Sequence, residues 1–106
     1  MKQFIYKFKP KCEHEEGDIY IGSTKKKLKC RYATHKCNYN YWKEGRRARV
    51  RCFILFEKYG IENCEIVLLE EVENLTNEEL RKIEARYITS LKCVNKNLPI
   101  KKLYLP

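Results

Sequence analysis

The chain has 106 residues, which predicts one domain over residues 1–106 and leaves no room for a second large core. Hydrophobic residues make up 43% of the chain and no apolar run approaches membrane-spanning length, so we expect a globular fold and no membrane partner. The formal net charge is +9, from 23 Lys and Arg against 14 Asp and Glu, and this favours a polyanionic partner such as nucleic acid.

Two strands joined by a polar loop are predicted at the start of the chain. Residues 3–9 alternate between a face with three aromatic rings and a face with Ile5. Residues 10–17 are polar and end in a turn signal, and residues 18–24 have strand composition. We therefore expect an antiparallel hairpin with a long loop.

A helix is predicted next, over residues 26–38, because Leu28, Tyr32 and His35 recur at spacings of four and three. Arg31 lies on the same stripe as His35. The helix therefore presents two ionisable side chains on the face that should pack against the core.

Positive charge is concentrated in the first half of the chain. Residues 25–58 hold twelve Lys and Arg against two acids, whereas residues 62–86 hold eight acids against three bases. A basic aromatic loop follows the first predicted helix; its rings either pack the loop or stack on bases, and its cations either are solvated or contact phosphates. The residues predicted to contact nucleic acid are Lys25, Lys26, Lys27, Lys36, Trp42, Arg46, Arg47, Arg49 and Arg51.

Two further elements are predicted in the middle of the chain. Residues 48–59 show a helical pattern with Ile54 among the inward positions, and Gly60 is suited to its C-terminal cap. Residues 64–70 contain a short apolar run, which indicates a strand buried on both faces.

The last predicted helix has the clearest start signal. Thr76 and Glu79 form the pattern of a capping box, and the helix should run to about Leu91, whose side chain is predicted to lie in the core stripe. Around the helix axis, Glu84 lies about 40° from Leu80, in the middle of that stripe. A carboxylate there is costly unless it is paired or binds a metal. It could pair with a buried arginine, or the stripe could open to solvent at this point.

The tail and the cysteines complete the sequence. Residues 93–106 contain two asparagines and two prolines, and we expect them to form an irregular C-terminal tail. The six cysteines lack zinc-site spacing, and we expect free thiols that fill the core in a reducing compartment. The N-terminus lacks the apolar run of a signal peptide, so the expected location is intracellular, in the cytoplasm or nucleus of a host cell, and not secreted.

The ionisable residues on these elements suit one chemistry if the elements meet. Glu84 could hold a divalent cation, and the cation with Arg31 could neutralise charge on a phosphate. Tyr6, Tyr20 or His35 could accept a proton from water. Such a set is suited to hydrolysis of a phosphodiester bond.

In order and spacing, these residues resemble the GIY-YIG nuclease superfamily over nearly the whole chain, although Phe4 replaces the first glycine of the motif. The resemblance implies a small α/β fold in which helices flank a three-stranded, mainly antiparallel sheet. The segments that carry it are Ile5-Tyr6-Lys7, Tyr20-Ile21-Gly22 with Ser23-Thr24, Leu28 with Arg31 and His35, Glu84 with Tyr87-Ile88, and Asn95 or Asn97.

The resemblance also implies specific roles. The activity would be one-metal hydrolysis of double-stranded or branched DNA with Mg²⁺ or Mn²⁺. Glu84 would bind the metal, Arg31 would contact the scissile phosphate, and Tyr6 and Tyr20 would position or activate water. His35 matches a histidine of the homing-enzyme branch. The supporting residues would be Gly22 and either Asn95 or Asn97.

Several alternatives stay open at this point. A non-catalytic nucleic-acid-binding module could use the same fold and basic face, although a carboxylate without a metal would repel phosphates. A monomer would nick one strand, and paired cuts would need a homodimer or two visits. A short basic nuclease would suit a virus or mobile element.

Overall fold

Three antiparallel strands and three α-helices form the part of the chain that the structure, a computed structural model, describes: residues 1–95. The predicted α/β class, with a three-stranded antiparallel sheet flanked by helices, is confirmed. The elements are β1 (Lys2–Pro10), β2 (Tyr20–Thr24), α1 (Leu28–Lys43), α2 (Phe53–Tyr59), a 3-10 turn (Ile61–Asn63), β3 (Cys64–Glu73) and α3 (Asn77–Ser90).

The first strand is the centre of the sheet, whose order is β2-β1-β3. The predicted hairpin is confirmed, with Tyr6 of β1 opposite Gly22 of β2. Strand β2 begins at Tyr20 rather than at Asp18. Before the strand, the Asp18 carboxylate accepts a hydrogen bond from Lys58 Nζ (2.8 Å), which ties the loop to α2.

The sheet separates two hydrophobic clusters. The aromatic cluster lies under α1 and α2, and the aliphatic cluster lies under α3. Successive side chains of a strand point to opposite faces, so Tyr20 and Gly22 of β2 face α1 while Ile21 and Ser23 face α3. The buried members are Tyr6, Phe8, Tyr39, Cys52, Phe53, Leu55, Phe56, Ile61 and Cys64 in the aromatic cluster and Ile5, Ile19, Ile21, Leu80 and Ile88 in the aliphatic cluster.

Helix α1 is longer than predicted and α2 is shorter. The first part of the segment expected to be an aromatic loop, residues 39–43, continues α1, because Tyr39 stacks on Trp42 and both rings pack against Phe53; Arg46 and Arg47 follow the helix. Helix α2 starts only at Phe53, and Leu55 rather than Ile54 is fully buried. Tertiary aromatic packing therefore decided both boundaries.

Strand β3 corrects a second expectation. It runs to Glu73, and Cys64 is its only buried residue, so the strand is not buried on both faces; it lies at an edge of the described sheet. Leu68, in the middle of the apolar run, is 47% exposed. A single apolar run does not distinguish a central strand from an edge strand, since only the neighbours decide burial.

Helix α3 confirms its predicted start and corrects part of its buried face. The hydroxyl of Thr76 accepts from the Glu79 backbone N–H (3.1 Å), and the Glu79 carboxylate accepts from the Thr76 backbone N–H (3.2 Å), as a capping box requires. Leu91 follows the helix and is exposed, whereas Ala85 is buried. The buried stripe is therefore rotated toward Ala85 and Ile88.

The predictions for the cysteines and for the C-terminal tail are partly confirmed and partly wrong. All six thiols are free, but only Cys52 and Cys64 are buried; Cys93 is half-buried and the other three are exposed, so core filling was wrong for those three. Residues 93–95 are irregular, as predicted, and residues 96–106 lie outside the described part. No helix within residues 1–95 has the length and apolar character needed to span a bilayer.

Candidate active site

A chain of hydrogen bonds connects three of the predicted site residues. The Nε–H of Arg31 donates to the Tyr6 hydroxyl oxygen (3.1 Å), and that hydroxyl lies 2.9 Å from Nε2 of His35. Tyr6 is fully buried and His35 is 3% exposed. Spacing four on α1 places Arg31 and His35 on one face, and β1 carries Tyr6 beneath them.

Gly22 provides the space that the Tyr6 ring occupies. A Cβ added at Gly22 would lie 2.5 Å from Cζ and 2.9 Å from Cε1 of Tyr6, which no packed structure tolerates. The strand pairing explains this, because Tyr6 and Gly22 are direct cross-strand partners. The predicted supporting role of Gly22 thus has a steric basis, namely close passage of a ring over a strand.

Burial controls the protonation of the buried members. The pKa of His35 is lowered to about 3, mainly by desolvation and in addition by the positive charges of Arg31 and Arg47. The imidazole is therefore neutral at neutral pH. Desolvation also raises the pKa of Tyr6 to about 12, although Arg31 opposes this by its charge and its hydrogen bond. Tyr6 is consequently a neutral phenol.

Tyr20 lies beside this chain, and its ring centroid is 6.2 Å from that of His35. Burial is the main cause of a raised pKa, and the neighbouring Tyr6, Cys52 and Glu84 add to it. The residue is half-buried, unlike Tyr6. Of the two tyrosines, Tyr20 is therefore the one with a solvent-accessible portion.

Glu84 approaches from the other face of the sheet. Its Oε2 accepts a hydrogen bond from the Ser23 hydroxyl (3.1 Å), and within residues 1–95 no Lys or Arg forms an ion pair with it. Desolvation raises the pKa of the carboxyl, against the opposing effects of Ser23, Arg31 and Arg81. Of the two alternatives that the sequence left open, an ion pair with a buried arginine is not formed within residues 1–95, and the stripe opens to a cleft.

The cleft unites the two sides of the site. It has a volume of about 390 Å³ and is lined by both Arg31 and Glu84, together with Lys25, Lys26 and Arg81. Four cations therefore surround one carboxylate, and the cleft has a positive net charge. Such a site attracts an anion while keeping one oxygen ligand available for a cation.

A divalent metal fits these side chains only if water and the substrate supply most of its ligands. No group of three or more His, Cys, Asp or Glu residues suited to a metal occurs within residues 1–95. Magnesium is often bound by one or two carboxylates together with water and substrate phosphates. The Glu84 carboxylate fits such a site, in which the ligand completes the coordination.

Asn95 braces the strand that carries Tyr20 and Ser23. Its Oδ1 accepts from the Ile21 N–H and its Nδ2 donates to the Ile21 carbonyl, both at 2.9 Å. The side chain thereby pairs with the outer edge of β2 like another strand. Asn95 is thus positioned for the predicted supporting role, and Asn97 lies outside the described residues.

The predicted nucleic-acid contacts separate into groups. Lys25 and Lys26 line the cleft. Lys36 lies about 140° around α1 from Arg31, on the other flank of the helix. Trp42 packs in the aromatic cluster, and Arg51 donates to the Val94 carbonyl (3.0 Å) and so anchors the segment before Asn95. Lys27 is exposed directly before α1. Three more cations are exposed beyond the C-terminal end of α1: Arg46, Arg47 and Arg49. The guanidinium of Arg46 lies 4.7 Å from the Tyr41 ring centroid, and that of Arg49 lies 5.9 Å from the Trp42 ring centroid.

Three residues at the site were missed by sequence reasoning. Ser23 bonds to Glu84, Arg81 lines the cleft, and the Cys52 Sγ lies 3.4 Å from His35 Nδ1. Ser23 follows Gly22 directly and could have been found from strand alternation. Cys52 is seventeen residues from His35 and only the packing of α2 on α1 brings them together.

Comparison with known protein families, with curated proteins and with solved structures found no match.

Proposed function

We propose that this chain is a divalent-metal-dependent DNA endonuclease of the GIY-YIG type. The observation that carries the proposal is a half-buried carboxylate, Glu84, without an ion pair among the described residues, in the same positively charged cleft as Arg31. Folding leaves this carboxylate desolvated and poorly compensated, which is costly for stability alone. A bound cation together with a phosphate would compensate for that cost.

The proposed roles follow from exposure and bonding. Arg31 binds the scissile phosphate, because its guanidinium lines the cleft while its Nε is held by Tyr6. Tyr6 is fully buried, so it positions Arg31 rather than contacting water. Tyr20 is the partly exposed phenol and is assigned to orient the attacking water.

Glu84 is assigned to hold Mg²⁺ or Mn²⁺, oriented by the hydrogen bond from Ser23. The metal would supply Lewis-acid stabilisation of the charge that develops on the phosphate. Lys25, Lys26 and Arg81 would hold the flanking DNA backbone at the rim of the cleft. An intracellular setting fits this substrate and the six free thiols.

The test is plasmid cleavage by the wild type and by Glu84→Gln, each with Mg²⁺, with Mn²⁺ and with EDTA. We expect cleavage by the wild type that EDTA abolishes, and a loss of at least about 100-fold in the variant, because a metal-ligand loss removes charge stabilisation of the transition state. DNA binding by the variant should persist.

The matched control is Glu78→Gln on the same helix, whose carboxylate is exposed and lies 3.8 Å from Lys82 Nζ. Cleavage by this control should equal that of the wild type, since an exposed pair at this distance contributes little. DNA binding without cleavage in every condition would instead support the alternative, a non-catalytic nucleic-acid-binding module. Cleavage that survives in Glu84→Gln would contradict the assignment of the metal ligand.

A further inference from the structure

Cys52 ends the buried hydrogen-bond chain that begins at Arg31. Its Sγ lies 3.4 Å from Nδ1 of His35, and the residue is fully buried at the N-terminal end of α2. The chain therefore runs from the cleft through Tyr6 and His35 to a thiol in the aromatic cluster. Both ring nitrogens of His35 have a partner, so the ring is held from two sides.

The donors along this chain determine where the protons lie. Arg31 Nε–H donates to the Tyr6 oxygen, so the Tyr6 hydroxyl proton is directed at His35 Nε2, the other polar atom within hydrogen-bond distance. Nε2 must then be an acceptor, and a neutral imidazole carries its single proton on Nδ1. That proton points at Cys52 Sγ, which is a weak acceptor.

The opposite tautomer fits the same positions less well. If Nε2 carried the proton, the Tyr6 oxygen would receive two donors, from Arg31 and His35, and its own proton would lack a partner in a fully buried environment. A buried hydroxyl without a hydrogen-bond partner is destabilising. The arrangement with Nδ1–H toward sulfur gives a partner to the Tyr6 hydroxyl proton and to both ring nitrogens of His35.

We propose that Cys52 is a positioning residue of the nuclease: by accepting from Nδ1–H it stabilises the His35 tautomer that receives the Tyr6 proton at Nε2, and the Tyr6 oxygen stays available to Arg31. The Arg31 guanidinium is then fixed with its remaining N–H groups directed at the cleft. This proposal rests on the proposed function only for its effect on catalysis. The orientation of the chain does not depend on any activity.

The physical reason for this design lies in the flexibility of arginine. A free arginine side chain populates many rotamers, and a bond to a buried, oriented acceptor removes this freedom before the substrate binds. Tyr6 can serve as that acceptor only if its own proton is held elsewhere. His35 accepts that proton at Nε2, and Cys52 stabilises the tautomer that leaves Nε2 free to do so.

The first experiment measures the tautomer directly. Long-range ¹H–¹⁵N correlation spectra of the imidazole groups report which ring nitrogen carries the proton, and the chain has only two histidines, so His14→Gln assigns the His35 signals. We expect His35 with a protonated Nδ1 and a bare Nε2 in the wild type. In Cys52→Ala we expect a shift toward the Nε2–H form. A wild type with Nε2–H, or an unchanged tautomer in Cys52→Ala, would overturn the proposal.

The second experiment measures cleavage by the same variants. Cys52→Ala should lower kcat about tenfold with KM changed less than about twofold, the loss expected from about one neutral hydrogen bond in the transition state. Cys52→Ser should recover most of this loss, because its hydroxyl can accept from Nδ1–H. Equal rates in Cys52→Ala and the wild type would overturn the catalytic part.

The matched control is Cys64→Ala. Cys64 is buried in the same aromatic cluster, but its Sγ lies 3.8 Å from the Leu55 carbonyl rather than beside His35. It should leave both the tautomer and kcat unchanged, and an equal loss in both alanine variants would mean general loosening of the cluster. A wild type that cleaves no DNA would contradict the proposed function, while the NMR result would still decide the orientation.

Discussion

The two faces of the sheet each bury an ionisable group, and they compensate for it differently. On the aromatic side His35 is 3% exposed and has partners at both ring nitrogens. On the aliphatic side Glu84 is half-buried and receives a single hydrogen bond, from Ser23, among the described residues. A group whose bonds are complete can position others, whereas a group with bonding capacity left over can bind a ligand.

The strand β2 connects the two faces, because alternate residues of the segment Tyr20-Ile21-Gly22-Ser23 point to opposite sides. Tyr20 and Gly22 pack on the aromatic side, and Ser23 donates a hydrogen bond to Glu84 on the aliphatic side. A site assembled in this way requires both faces to keep their register. The predictions below disturb one face at a time.

The largest effect is expected for Gly22→Ala. The added Cβ would overlap the Tyr6 ring, so the ring must move and its bonds to Arg31 and His35 must break. We expect a loss of about 2 kcal/mol in the free energy of unfolding from overpacking, together with loss of cleavage. Urea denaturation measures the first quantity.

A matched control for this change is Gly17→Ala, where the added Cβ would meet the flexible Lys92 side chain at 3.3 Å. A flexible chain can move aside, so stability should change by less than about 0.5 kcal/mol. Similar losses in both variants would show that the aromatic face is no less tolerant than the surface.

The next effect concerns acid stability on the aromatic face. The pKa of His35 is about 3 in the folded protein against 6.5 for the ordinary value, so the unfolded chain binds a proton first as the pH falls. His35 therefore destabilises the fold by about 2 kcal/mol between pH 6.5 and 4.5. Unfolding of His35→Gln should depend less on pH in this range, whereas His14→Gln should behave like the wild type.

A smaller effect concerns DNA binding near the aromatic side. Arg47 is exposed just beyond the C-terminal end of α1, and its positive charge helps to lower the pKa of His35. In a plot of log K for DNA binding against log salt concentration, Arg47→Ala should reduce the magnitude of the slope by about 1, as expected for one lost phosphate contact. Lys82→Ala on α3, whose side chain pairs with Glu78 and does not line the cleft, should leave the slope unchanged, and an unchanged slope in Arg47→Ala would contradict a phosphate contact at Arg47.

The smallest effect is expected for the stability of Glu84→Gln without metal. Burial raises the folded pKa of Glu84 above its ordinary value of 4.5, so its contribution to stability is lost as the pH rises through that folded pKa. At pH 7 the variant should therefore be at least as stable as the wild type. A less stable variant, compared with Glu78→Gln by thermal unfolding, would mean that Glu84 is an ordinary structural carboxylate.

The sequence predicted the elements whose signals are local. The capping box at Thr76 and Glu79 depends on residues three apart, and the structure contains it. The position of Glu84 within the apolar stripe of α3 followed from helical geometry alone, and so did the shared face of Arg31 and His35. Alternation in residues 3–9, the turn signal and the strand composition of residues 18–24 likewise predicted the hairpin, in which the structure places Tyr6 opposite Gly22.

Tertiary structure alone decided what depends on distant neighbours. Helix α1 extends through Trp42 because that ring packs on Phe53, and most side chains of β3 are only partly buried, at one edge of the sheet formed by the described residues. The contact of Cys52 with His35, and the meeting of Arg31 with Glu84 in one cleft, join residues far apart in the chain. Local patterns determine the direction of a side chain, but the free energy of burying it depends on which partners the packed elements bring to it.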